Sequence, residues 1–311
     1  MSRANQGKTT GTKPFILVDD LKPQLLHEID KLNSIDALNP NIFESVTDRI
    51  RNSLEKIFEN VIVIDSDSVR NFENKAINNE GTQLVSIAST FTKVKSHINC
   101  TRSYKIDASK GDIDFVGVCH RFKNLNDLNK EMTLLKDTAE GESIALIDDV
   151  IYSGQSLLEI CNLLREHEIK VKKIHSLVAK NGAVEMLNSS LNVEVVSEYL
   201  YTEVIDIVSA RDFIFGFPYG GKNIISNDNV LKFSTYIYPL GLPCEWANIP
   251  KELVVGFSKE MLKLSYDFWS EIETVLCSEY TLWDLPKLPA IWPPKTKYIS
   301  KGLRCLIDDV L

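Results

Sequence analysis

Apolar positions along this chain come in two rhythms. In "PFILVDDLKPQLLHEIDKL" a short apolar run gives way to Leu25, Leu26, Ile29 and Leu32 at spacings of three and four, and Ile42, Val46, Ile50, Leu54, Ile57 and Phe58 repeat the pattern. That period predicts helices over both segments. "NVIVID" (Asn60–Asp65) is instead a compact run of the kind a buried strand carries. Strand-like runs then recur: Gln83–Ser89, Asp114–His120, Ser143–Asp149, Lys172–Lys180 and Val193–Tyr199, with helical spacing between several of them, notably Ser156–Glu166. The alternation predicts an α/β fold, a mainly parallel sheet flanked by helices, with a helical N-terminal segment.

After about Asn227 the character changes. "YPLGLPCEWANIP" and "YTLWDLPKLPAIWPPK" hold most of the prolines and three of the four tryptophans. "ELVVGFSKEMLKLSYDFWSEIETVL" between them reads as a long helix, broken or started around Gly256. The expected division is a flexible tail over 1–13, a helical extension with the first strand over 14–80, the α/β core over 81–226 and a Trp/Pro-rich extension over 227–311. Exposed aromatics there would suit a homo-oligomer or a protein partner, but packing on their own domain is the better expectation.

Acid pairs follow apolar runs at Asp19–Asp20, Asp148–Asp149 and Asp308–Asp309. Only the central pair has a glycine turn and a helix behind it. The first is followed by Lys and Pro and the last by the end of the sequence, so both read as solvated strand or helix ends. In "IALIDDVIYSGQSLL" the carboxylates fall at the carboxyl end of a parallel strand, where open α/β sheets bind ligands. Gly154 lets the backbone come close, Ser153 and Ser156 offer hydroxyls, and the first amides of the following helix point to the same spot.

This segment resembles the 5-phosphoribosyl pyrophosphate (PRPP) signature of type I phosphoribosyltransferases: an apolar strand, two acids, two mostly apolar positions, a variable residue, then Thr or Ser, Gly, any residue, and Thr or Ser. The resemblance spans about Gln83–Asn223. It implies that Asp148 and Asp149 hold the ribose hydroxyls and position Mg²⁺, directly or through water, while Tyr152, Ser153, Gly154, Gln155 and Ser156 form the 5′-phosphate loop. It further implies a pyrophosphate loop at Ala88, Ser89 and Thr90, a mobile loop carrying His120, Arg121 and Lys123, and base-binding roles for Lys180, Arg211, Asp212 and Phe213. Phe215, Phe217 and Tyr219 are further stacking candidates, although their alternation with Phe213 also suits a buried strand face. Two departures stand out. "SIASTFTK" has no glycine, and Tyr152 occupies a position where the 6-oxopurine branch has an aspartate. The expected function is phosphoribosyl transfer or hydrolysis with PRPP or a nucleotide. The alternative is a PRPP or nucleotide sensor or effector subunit, such as those of bacterial defence systems.

Composition narrows the class. The 311 residues carry 43 acids against 35 bases, a net charge of -8, which argues against direct nucleic-acid binding. No apolar run approaches the ~20 residues of a membrane span. Six scattered cysteines make no metal-binding spacing, so reduced thiols and a cytoplasmic location are expected. "GKTT" at Gly7–Thr10 lacks both the upstream glycine and the preceding strand of a P-loop.

Overall fold

The computed structural model describes residues 5–6, 12–28, 41–107, 112–121, 127–138, 143–225, 230–285 and 287–309. The chain forms two compact units: Pro14–Ser66 with Ile205–Leu311, and Met1–Lys13 with Asp67–Val204. The boundaries thus differ from those expected, because the two terminal extensions come together. Strand pairing explains why: Phe15–Val18 pairs in parallel with Val61–Ile64 on one side and with Asp206–Ser209 on the other.

The unit containing Asp67–Val204 has a six-stranded sheet in the order Asn5–Gln6, Glu194–Tyr201, Lys170–Lys180, Ser143–Ile151, Gln83–Ser86, Ser96–His97. Every pairing is parallel. Asn5 and Gln6, expected in a tail, pair with Tyr199 and Leu200. In the central strand Ile144, Ala145, Leu146 and Ile147 are all fully buried, the continuous apolar run of a covered parallel strand. Leu157, Ile160 and Leu164 of helix Gln155–Glu166 join the same core, together with Ala183 and Leu187 of Asn181–Leu191 and Met132 of Asp127–Thr138. Asp112–His120 lies outside this sheet. It pairs antiparallel with Cys100–Asp107, a strand that the hydropathy pattern does not reveal. The run expected at Gln83–Ser89 leaves its strand at Ser86, which frees the next residues to turn.

In the other unit the long helix runs unbroken through Gly256, from Val254 to Leu276. Its Phe257, Met261, Leu264 and Phe268 are buried. Trp269 is fully buried, donates its indole N–H to the Phe215 carbonyl at 2.6 Å, and stacks on Tyr280. Trp246 is buried and Trp292 stacks on Phe215 with centroids 4.7 Å apart, so of the four tryptophans only Trp283, 71% exposed, stands in solvent. Phe213, Phe215 and Phe217 are buried as well, but Phe213 closes a 3-10 turn (Ala210–Phe213) and no strand contains the three. Among the described residues no helix is long and apolar enough to cross a membrane.

The first acid pair is not a solvated strand end. Asp20 is fully buried and its carboxylate lies 2.6 Å from Arg211 Nη1, which also donates to Gln24 Oε1 at 3.0 Å. Asp19 is also buried, and desolvation, with Asp65 and Glu44 adding repulsion, pushes its pKa up to about 6. A raised carboxyl pKa means that the folded state holds the proton more tightly than the unfolded chain. Stability therefore falls as pH rises from about 4 through about 6. Asp19→Asn is expected to gain roughly 2–3 kcal/mol at pH 7 and to gain nothing near pH 3.5. Urea midpoints of both proteins across that range check it, and a gain equal at both ends would refute it. Of the last pair, Asp308 behaves as expected: it lies on helix Ile299–Asp309, exposed and 3.0 Å from Arg304 Nε.

Candidate functional site

The central acid pair lies inside strand Ser143–Ile151, just past the point where its neighbour stops. Pairing with Gln83–Ser86 ends at Ser86 opposite Ile147, whereas pairing with Lys170–Lys180 continues through Asp148 opposite Ser176 to Ile151 opposite Ala179. On one side, therefore, Asp148 and Asp149 border a chain that has just turned away. That chain is the Ile87–Thr90 segment. Ile87 N–H still donates to the Ile147 carbonyl at 3.1 Å, and the Thr90 hydroxyl donates to Asp149 Oδ2 at 3.1 Å.

Both carboxylates are half-buried. Asp149 N–H donates to Asp148 Oδ1 at 3.0 Å. Burial, then repulsion from Asp149, pushes the Asp148 pKa well above the usual carboxylate range, and Arg102 partly offsets both. Two adjacent acids, one of which resists ionisation, form a site that gains from a cation or from hydroxyl donors arriving at it.

Behind the pair the chain turns at Gly154, which has a φ of 77° and is the residue preceding helix Gln155–Glu166. Gln155 N–H donates to Ser153 Oγ at 3.4 Å, so the serine already faces the helix start. A Cβ at Gly154 would stand 2.7 Å from Met186 Cε and 3.1 Å from Leu187 Cγ. Gly154→Ala therefore combines left-handed strain with a clash and is expected to cost roughly 1–3 kcal/mol. Denaturant unfolding measures this, and no loss would show that the turn relaxes freely. The helix presents its first amides and the positive end of its dipole at this turn.

Tyr152 and Lys180 also meet: Lys180 Nζ stands 4.4 Å from the centre of the Tyr152 ring. Arg121, expected on a mobile loop, is instead buried, and its guanidinium donates to the Ile87 carbonyl, the Cys100 carbonyl and Ser89 Oγ. Lys123 lies outside the described residues. Arg211, Asp212 and Phe213 belong to the other unit and have structural partners there. Arg211 holds Asp20, Asp212 accepts the Gly221 amide at 2.7 Å, and Phe213 packs edge-on against Tyr236 and Phe257. Sequence reasoning missed Arg102, whose charge acts on Asp148. It sits on a strand, "CTRSYKID", with no motif to mark it.

No protein-family model and no curated protein matches this sequence. Solved structures that resemble it include UMP synthase of Leishmania donovani (16% identity, 42% of this chain and 26% of that one, TM-score 0.26). Orotate phosphoribosyltransferase from Aeropyrum pernix is another (13% identity, 43% and 70%, TM-score 0.27). A third is a hypothetical protein from Neisseria gonorrhoeae with bound ppGpp (12% identity, 46% and 81%, TM-score 0.29). The chain thus spans about a quarter of the UMP synthase. At these identities and TM-scores the reading of the site rests on this chain's own residues.

Proposed function

We propose that the unit containing Asp67–Val204 binds PRPP or a nucleotide with Mg²⁺ and transfers, or hydrolyses, its phosphoribosyl group. One observation carries the reading: two half-buried carboxylates lead directly into a left-handed glycine and a helix N-terminus. The carboxylates suit ribose hydroxyls, and the Ser153–Ser156 turn suits a phosphate dianion. A sugar phosphate offers both groups a few bonds apart.

Asp148 and Asp149 also fit Mg²⁺. Among the described residues no cluster of three or more His, Cys, Asp or Glu could hold an ion alone. Mg²⁺ commonly takes one or two carboxylates and completes its shell with water and phosphate oxygens. When bound, it would neutralise charge on the departing pyrophosphate. The chain's own part is orientation. Asp148 and Asp149 fix the ribose, the Thr90 hydroxyl aligns Asp149, and the serine turn anchors the phosphate away from the bond that breaks. Arg102 adds positive charge on the Asp148 side, where anionic groups would gather.

The alternative, a PRPP or nucleotide sensor or effector, gains support from Tyr152. Its ring holds the Lys180 ammonium, and a phenol is a poor general base at neutral pH. In that case a homo-oligomer or protein partner would meet the C-terminal region, where Trp283 is exposed.

Calorimetric titration of PRPP with Mg²⁺ into the full chain, with pyrophosphate release followed across a panel of bases, tests both readings. Binding with release for one base supports a transferase, and binding without release supports the sensor. If neither PRPP nor any nucleotide binds, the pocket reading fails.

A further inference from the structure

The carboxyl edge beside Asp149 contains a buried cation in an unexpected place. Arg121 ends the hairpin strand region, 9% exposed, with its own N–H donated to the Asn99 carbonyl at 2.6 Å. Asn99 is fixed in turn by Glu131, which accepts both its backbone N–H at 2.9 Å and its side-chain amide at 2.6 Å. The base from which the Arg121 side chain projects is thus anchored on two sides.

From that base the guanidinium reaches beneath the segment Ile87–Thr90. Nη2 donates to the Ile87 carbonyl at 3.0 Å and the Cys100 carbonyl at 2.9 Å, while Nη1 donates to Ser89 Oγ at 2.9 Å. The next residue, Thr90, donates to Asp149. Arg121 is therefore linked to the acid pair through its hydrogen bond to Ser89, the peptide bond from Ser89 to Thr90, and the Thr90 hydrogen bond to Asp149. A planar guanidinium can meet three acceptors at fixed angles, and an ammonium on a flexible stem cannot reproduce that fork.

We infer that Arg121 is a positioning residue that holds Ile87–Thr90 against Asp149 and so shapes the pyrophosphate side of the pocket. The inference rests on the reading of that pocket given above. Its buried charge adds to that of Arg102 beside the two carboxylates, which favours a polyanion there. The ligand class concerned is the magnesium pyrophosphate moiety. The 5′-phosphate is served by Gly154 and the helix start, which Arg121 does not contact among its described hydrogen bonds.

The test is titration of the full-length wild type, Arg121→Lys, Arg121→Gln and Ser89→Ala with three probes: magnesium pyrophosphate, magnesium PRPP and ribose 5-phosphate. Arg121→Lys and Arg121→Gln are both expected to weaken pyrophosphate and PRPP by about tenfold or more, with ribose 5-phosphate changed less than about twofold. Ser89→Ala removes one link of the path while leaving the guanidinium and its two carbonyl partners in place, so it stays informative if the arginine variants fail to fold. It is expected to weaken pyrophosphate by about three- to fivefold. Equal weakening of all three probes would mean general damage, and loss in Arg121→Gln alone would mean charge without positioning. Either result overturns the inference, as does unchanged pyrophosphate binding in Ser89→Ala. If wild type binds ribose 5-phosphate but not pyrophosphate, the inference fails while the pocket reading stands. If it binds none of the three, both fail.

Discussion

Full-length protein carrying Asp148→Asn with Asp149→Asn is expected to lose PRPP binding by at least about 100-fold while becoming more resistant to unfolding at neutral pH. The two effects share one cause. Each carboxylate would make charge-assisted hydrogen bonds of roughly 1.5–3 kcal/mol to a ligand hydroxyl or hold part of a cation's shell. Without the ligand the same pair is a liability, because burial and mutual repulsion already press Asp148 toward its protonated form. Asparagine keeps the volume and removes the conflict. A group with a raised carboxyl pKa costs stability above that pKa, so the gain should shrink as pH falls and Asp148 takes up its proton. Calorimetry for binding and thermal melts at several pH values read both. Binding and stability lost together would indicate a structural pair, and binding retained would remove the pocket assignment.

The largest effect on stability is expected from Arg211→Met. Its guanidinium stands 2.6 Å from the carboxylate of fully buried Asp20 and also serves Gln24. Removing it leaves a charge in the interior, and breaking such a pair costs roughly 3–5 kcal/mol. For a 311-residue protein that is a fall of about 5–8 °C in Tm. Adding Asp20→Leu should recover much of the loss, since a well-packed apolar pair often matches a buried ion pair. Scanning calorimetry of the single and double variants decides it. A single variant within about 1 kcal/mol of wild type would show that the pair contributes little to stability.

These two acid pairs show what the sequence could and could not disclose. The central one was legible because everything it needs is local: an apolar run, two acids, a glycine turn and a helix within Ser143–Glu166. The first looked almost the same in isolation and was misread as solvated, since its partner Arg211 lies far along the chain and joins it only through the pairing of Phe15–Val18 with Asp206–Ser209. Arg102 was invisible for a related reason. Its strand carries three polar residues in a row, Thr101, Arg102 and Ser103, with neither alternation nor a motif to mark them, and its charge matters only because the hairpin places it near Asp148. Arg121 was noticed but given the wrong surroundings, because a basic "HRFKN" stretch gives no sign that one of its cations turns inward.

The path of the chain through its two units also sets an order on the ribosome. Asp67–Val204 is one continuous stretch, rich in pairings between near neighbours in sequence, and its contacts can form as it emerges. The strands Phe15–Val18 and Val61–Ile64 are made earlier but cannot complete their sheet until Asp206–Ser209 has been synthesised. Two short, wholly apolar strands must therefore remain without their third member while more than a hundred residues are added between them and it. At the ~5–20 residues per second of translation, that interval lasts many seconds and leaves an unpaired strand edge open. The nascent protein is most exposed to aggregation and to chaperones during that wait, while Asp67–Val204 is still being made and before the other unit can close.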